Sequence, residues 1–155
     1  MNTNILKQIS LLSLFLGAAL GVITLIPFIG ELAFWVLMCA ASPIVILFMM
    51  RMEMINIQTV KESVVIGSII GFVSFIGFSI FYMPISVLLI KIFNYSTNYG
   101  VSLALSQASF GLIIVMVLFI SVLSATVNAF SGFLTYYGID LYKMLNKKDE
   151  NFKLK

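Results

Sequence analysis

Four uninterrupted apolar runs set the character of this chain. No Asp, Glu, Lys or Arg occurs within residues 9–28, 32–50, 64–83 or 110–137. Each run is near or above the ~20 residues that a helix needs to cross a bilayer core about 30 Å thick. A stretch such as Gly111-Leu-Ile-Ile-Val-Met-Val-Leu-Phe-Ile120 shows no two-residue alternation. A membrane barrel would alternate over strands of ~10 residues. Backbone polar groups in lipid must be satisfied within the protein, so helices remain. The pattern predicts an all-α fold: a polytopic transmembrane bundle of four helices with short loops, spanning 9–28, 32–50, 64–92 and 108–137. Residues 1–155 then form a single integral membrane domain, with a tail over 139–155.

Local signals place the boundaries. Pro27-Phe28-Ile29-Gly30 reads as a turn closing segment 1. Glu31 opens segment 2, where a carboxylate suits the positive end of the helix dipole. Trp35 lies one turn deeper, at headgroup level. Pro43 deprives the carbonyl four residues earlier of its partner and is expected to kink segment 2. Residues 51–62 mix charges with Met52, Met54, Ile55 and Ile57, as an interfacial turn or short surface helix would. At Pro84, segment 3 either continues as one long tilted helix or breaks into a span and a short second helix; the first is the expectation. Residues 94–100 form the main external loop. Asn94-Tyr95-Ser96 matches a glycosylation acceptor by chance. Residues 101–109 are expected to be the early turns of segment 4. Tyr136-Tyr137 marks the opposite interface, and the tail from Asn146 is expected to fray.

Composition strengthens the membrane reading. Apolar residues make up 61% of the chain and charged residues 10%, against ~45–50% and ~25% in soluble domains. A soluble fold with so few charges would expose large apolar patches and aggregate. The net charge of +3 does not imply nucleic acid, because the basic residues sit in loops and tail. Of nine basic residues, Lys7, Arg51, Lys61, Lys143, Lys147, Lys148, Lys153 and Lys155 fall on one side of a four-span topology, and only Lys91 on the other. The positive-inside rule then puts both termini in the cytoplasm, N-in and C-in. Glu31 and Lys91 are the outer-side charges, expected to be solvated rather than paired. Lys7 followed by an apolar run also suits a signal peptide, but the run to Phe28 is longer than a typical signal core. The Ile/Asn/Lys/Phe-rich usage points to a bacterial cytoplasmic membrane.

Chemistry-bearing residues are scarce. There is no His, and Cys39 stands alone, a small packing residue with no disulfide partner. Phosphate-binding glycine loops, Gly-x-Ser-x-Gly and His-Glu-x-x-His are absent. The methionine pairs near residues 49–54 suit the edge of an apolar helix better than a copper site. No catalytic residue, cofactor or metal is expected, and the chain is not expected to be an enzyme.

Small residues are plentiful instead. Lipid gives helices no hydrophobic reason to associate, so close backbone approach decides where they cross. Gly17 with Gly21 and Gly67 with Gly71 are candidate crossing faces. Segment 4 adds the rows Ser121-Ala125-Ala129 and Ser124-Asn128-Gly132. Segments 1 and 3 also echo each other at an offset of 50, which superposes the two glycine pairs and admits a duplicated hairpin. Asn128, with Ser124 and Ser121, is the candidate intramembrane polar group. An interhelical hydrogen bond is the expected role. The alternative is a polar path extended by Thr126 and Gln107.

In layout the chain resembles small four-helix bacterial membrane proteins of no assigned activity, a likeness of plan that names no family. The expected partners are the lipid bilayer and other membrane proteins or a second copy, with no nucleic acid. The expected role is an accessory, scaffolding or assembly partner. The alternative is a subunit of a small oligomeric transporter or channel with its path near Asn128.

Overall fold

The computed structural model describes residues 3–95 and 107–153, with side chains through residue 145. It is all-helical among those residues: α1 Thr3–Ile23, α2 Ile29–Arg51, α3 Val60–Phe93 and α4 Phe110–Lys153. All four are long and apolar enough to span a membrane.

The first helix starts and stops earlier than expected. Nothing among Thr3 to Gln8 breaks a helix, so α1 extends through them. It ends at Ile23, although the apolar run continues to Phe28. Pro27 has no N–H to offer the Ile23 carbonyl and disfavours a helical residue 26. The Thr24 hydroxyl folds back on the Leu20 carbonyl at 2.7 Å. The turn then passes through Phe28, whose φ of 67° lies in the left-handed region. Gly30 has no such φ; it lets the Thr24 carbonyl come close to its Cα.

The α2–α3 connection is a turn followed by extended chain, not a surface helix. Ile55 and Ile57 point inward and are buried, while Asn56 and Gln58 are exposed. Thr59 and Glu62 then form a capping box that starts α3 four residues before the expected boundary. Helix α3 runs unbroken through Pro84 for 34 residues, so the single long helix prevails. Ala108 and Ser109 are not helical, and α4 begins at Phe110, so residues 107–109 are not its early turns. Residues 96–106, with most of the expected external loop, lie outside the described residues. At the other end α4 does not fray at Asn146. It continues to Lys153, because neither Pro nor Gly follows Gly138 and the tail is rich in good helix formers.

Helix α3 lies between α1 and α4, and α2 packs against all three. Two apolar clusters hold the ends of the bundle. One gathers Ile9, Val45, Ile46, Met49, Ile57, Ile66 and Ile70 where α2 passes into α3. The other gathers Leu20, Leu37, Phe75, Phe78 and Tyr82 at the opposite end, with the Phe78 and Tyr82 rings stacked at 5.0 Å. Between them runs a tier of buried small and polar residues: Ser13 and Gly17 on α1, Ser42 on α2, Gly67, Gly71 and Ser74 on α3, and Ser124, Asn128 and Gly132 on α4.

The two glycine pairs face different partners. Gly17 abuts the Ser74 backbone and Gly21 the Phe78 backbone, on the α1–α3 contact. Gly67 and Gly71 instead meet the α4 backbone at Asn128, Ala129 and Ser124. A two-fold relation between hairpins would set Gly67 and Gly71 against α1. The sequence echo is therefore not matched by equivalent contacts.

Candidate functional site

The site builds outward from Pro43. Without an N–H, Pro43 cannot bond the carbonyl of Cys39. Helix α2 nevertheless continues through it to Arg51. Helix α4 supplies what is missing. Ser131 Oγ donates to the Cys39 carbonyl at 2.7 Å. One turn away, Asn128 bridges two backbone groups of α2. Its Oδ1 accepts from the Ser42 N–H at 2.8 Å, and its Nδ2 donates to the Met38 carbonyl at 2.9 Å. Met38 and Ser42 are four residues apart, the spacing of an ordinary helical hydrogen bond. The Asn128 amide thus lies against α2 like an added peptide unit.

Asn128 is fully buried. Its Nδ2 also reaches the Leu37 carbonyl at 3.3 Å and the Ser124 carbonyl at 3.1 Å. Both amide hydrogens and the Oδ1 atom are therefore engaged within the bundle. Ser124 Oγ donates across to the Gly71 carbonyl at 3.0 Å, and Ser63 Oγ to the Gly132 carbonyl at 2.6 Å. These bonds need backbones close together, which the glycines permit. A β-carbon on Gly71 would stand 2.6 Å from the Asn128 β-carbon, and one on Gly132 would stand 2.6 Å from the Ser63 carbonyl oxygen. The Ser42 hydroxyl has no hydrogen-bond partner among the described residues. It fills the space beside Gly67 and Gly132.

The expected polar and packing residues divide accordingly. Asn128, Ser124, Gly67, Gly71 and Gly132 meet at one junction of α2, α3 and α4. Ser121 is buried but bonds within its own helix, to the Val117 carbonyl at 2.7 Å. Ala129 touches Gly67, whereas Ala125 is half-buried. Thr126 and Gln107 are exposed, and Thr126 bonds back to Val122. They do not extend a path from Asn128. Gly17 and Gly21 serve the other crossing. Cys39 is exposed rather than packed inside; its carbonyl, not its thiol, carries a role. Glu31 and Lys91 are exposed, with no ion pair between them. Sequence reasoning missed Ser131, Ser42 and Ser63. Ser131 had a signal: Pro43 orphans a carbonyl, and Ser131 stands three residues beyond the one polar amide on segment 4.

The junction holds hydrogen-bond donors and acceptors and, among the described residues, no titratable side chain. No protein-family model matches the chain, and no curated protein or solved structure is significantly similar to it.

Proposed function

We propose that this chain is a small bacterial cytoplasmic-membrane protein, both termini inside, with a non-enzymatic accessory or assembly role. The observation that carries this is the contrast on α4. One stripe of α4 is committed to the Asn128 junction. In its most apolar stretch only 11% of residues are buried within the chain, against 50% for α3. Phe110, Val115, Phe119, Phe130 and Leu134 face outward. The polar groups in the core are used for assembly of the bundle, which favours packing over a polar path. The surplus surface is apolar and faces lipid or another membrane protein. The charge asymmetry of the loops supports the orientation.

Purification in mild detergent with crosslinking tests this role. A stoichiometric foreign membrane protein is the expected result. A pure homo-oligomer with water along an axis near Asn128 would favour the transporter subunit instead. Reporter tags at the two ends test the topology. Both should report the cytoplasm, and opposite compartments would overturn the four-span scheme.

A further inference from the structure

A cavity of about 290 Å³ opens between the α2–α3 connection and α4. Its floor is apolar, made by Met50, Ile57 and Ile139 at the edge of a core cluster. Its rim is polar and carries both signs. Asn56 and Gln58 line it from the connection, and Asp140 and Lys143 line it from α4. Tyr136 fixes the wall by donating its hydroxyl to the Gln58 carbonyl at 3.3 Å. The paired rings of Tyr136 and Tyr137 suit headgroup depth.

Asp140 and Lys143 stand three residues apart on α4, yet no ion pair joins them among the described residues. Each is therefore available to a separate charge on a ligand. A simple anion would meet the carboxylate, and a simple cation would meet the ammonium. We infer that this cavity binds a zwitterionic phosphoethanolamine group, with its phosphate on Lys143 and its primary ammonium on Asp140. A primary ammonium has three N–H donors. One suits the Asp140 carboxylate, and the others suit acceptors that Asn56 and Gln58 bring to the rim. A phosphate oxygen takes a charge-assisted bond from Lys143. The group has two sources, a phospholipid headgroup or a soluble phosphodiester. The apolar floor beneath the rim favours the lipid.

Native mass spectrometry of the full chain in detergent tests the inference. The probes are short-chain phosphatidylethanolamine, phosphatidylcholine and phosphatidylglycerol, with glycerophosphoethanolamine as the soluble arm. Phosphatidylethanolamine should be retained about tenfold better than the other two lipids, the scale of one hydrogen bond to a charged group. Asp140→Asn should abolish that preference over phosphatidylcholine. Lys143→Gln should weaken both zwitterionic lipids alike. Both variants should keep the parent's helicity and melting temperature, since Lys143 is exposed and the Asn replacement preserves shape. Glycerophosphoethanolamine held as tightly as the lipid would keep the headgroup assignment and make the source soluble. Equal retention of the three lipids, a preference for phosphatidylglycerol, or an ethanolamine preference that survives Asp140→Asn would overturn it.

Discussion

Ser131 on α4 donates its hydroxyl to the carbonyl of Cys39, the acceptor in α2 that Pro43 leaves without a partner. The two residues are coupled through a third that neither of them bonds. A helix with an internal proline tolerates it in lipid when a neighbouring helix satisfies the freed group.

That coupling gives a double-mutant prediction. Ser131→Ala in the parent should lower stability by about 0.5–1.5 kcal/mol, the net worth of one hydrogen bond. Pro43→Ala restores an N–H at position 43, which can bond the Cys39 carbonyl within α2. In that background Ser131→Ala should cost close to nothing. Unfolding in mixed detergent micelles measures all four corners of the cycle. Equal costs in both backgrounds would mean that the hydroxyl contributes by packing and not by serving the orphaned carbonyl.

Asn128 offers a second contrast. Asn128→Leu removes the bridge to Met38 and Ser42 and sets a larger side chain against α2, beside Gly71. The expected loss is about 1–2 kcal/mol, in the range of intramembrane hydrogen bonds. Thr126→Leu, two residues away but exposed, should stay within about 0.5 kcal/mol of the parent. Thermal unfolding in detergent separates them. If Asn128→Leu folds and assembles normally but abolishes a cellular phenotype, the polar-path reading gains and the structural one fails.

The helix count and the crossing glycines were legible in the sequence because lipid reduces the problem to two rules. A span must be long and apolar, and backbones approach only at small residues. Gly67, Gly71 and Gly132 obeyed the second rule and met the opposing backbone where α3 and α4 cross, beside Asn128. Ends were less legible because hydropathy does not register hydrogen bonding. Residues 24–28 are as apolar as the helix before them, yet Pro27 withholds a donor and α1 stops at Ile23. The start of α3 was set by the polar pair Thr59 and Glu62, outside the apolar run. Which face met which partner was not legible. The equal spacing in Gly17–Gly21 and Gly67–Gly71 suggested equivalence, but the second pair packs on α4. Spacing reports that a face can be approached closely, not by which neighbour.

Glycines of identical type should therefore respond differently. A β-carbon on Gly17 would collide with the Ser74 backbone, whereas Gly111 and Gly138 have nothing within reach. Gly17→Ala forces α1 away from α3 and should cost about 1–3 kcal/mol, as overpacking does. Gly111→Ala and Gly138→Ala lie inside α4 and remove the backbone freedom of glycine. They should be neutral or stabilise by up to about 1 kcal/mol. Melting temperatures in one detergent rank the three. A Gly17→Ala protein as stable as the parent would mean that α1 and α3 do not approach as closely as described.

The capping box at the start of α3 lies outside the apolar run, so its contribution follows the rules of aqueous helices. Glu62 N–H donates to Thr59 Oγ1 at 3.3 Å, and the Glu62 carboxylate accepts from the Thr59 N–H at 3.3 Å and from the Gln58 N–H at 3.1 Å. Thr59→Ala removes one acceptor and should cost about 1 kcal/mol. Glu62→Ala removes the reciprocal half and a favourable charge at the helix start. Because each side chain holds the other's backbone in place, the double variant should lose less than the sum of the two. The same connection carries Ile55 and Ile57 into the core, so fraying here should release them. Amide exchange at Ile57 and Gln58 should accelerate in either single variant while the Phe78–Tyr82 end stays unchanged. Uniform acceleration along α3 would instead mean that the box supports the whole bundle and not only its local start.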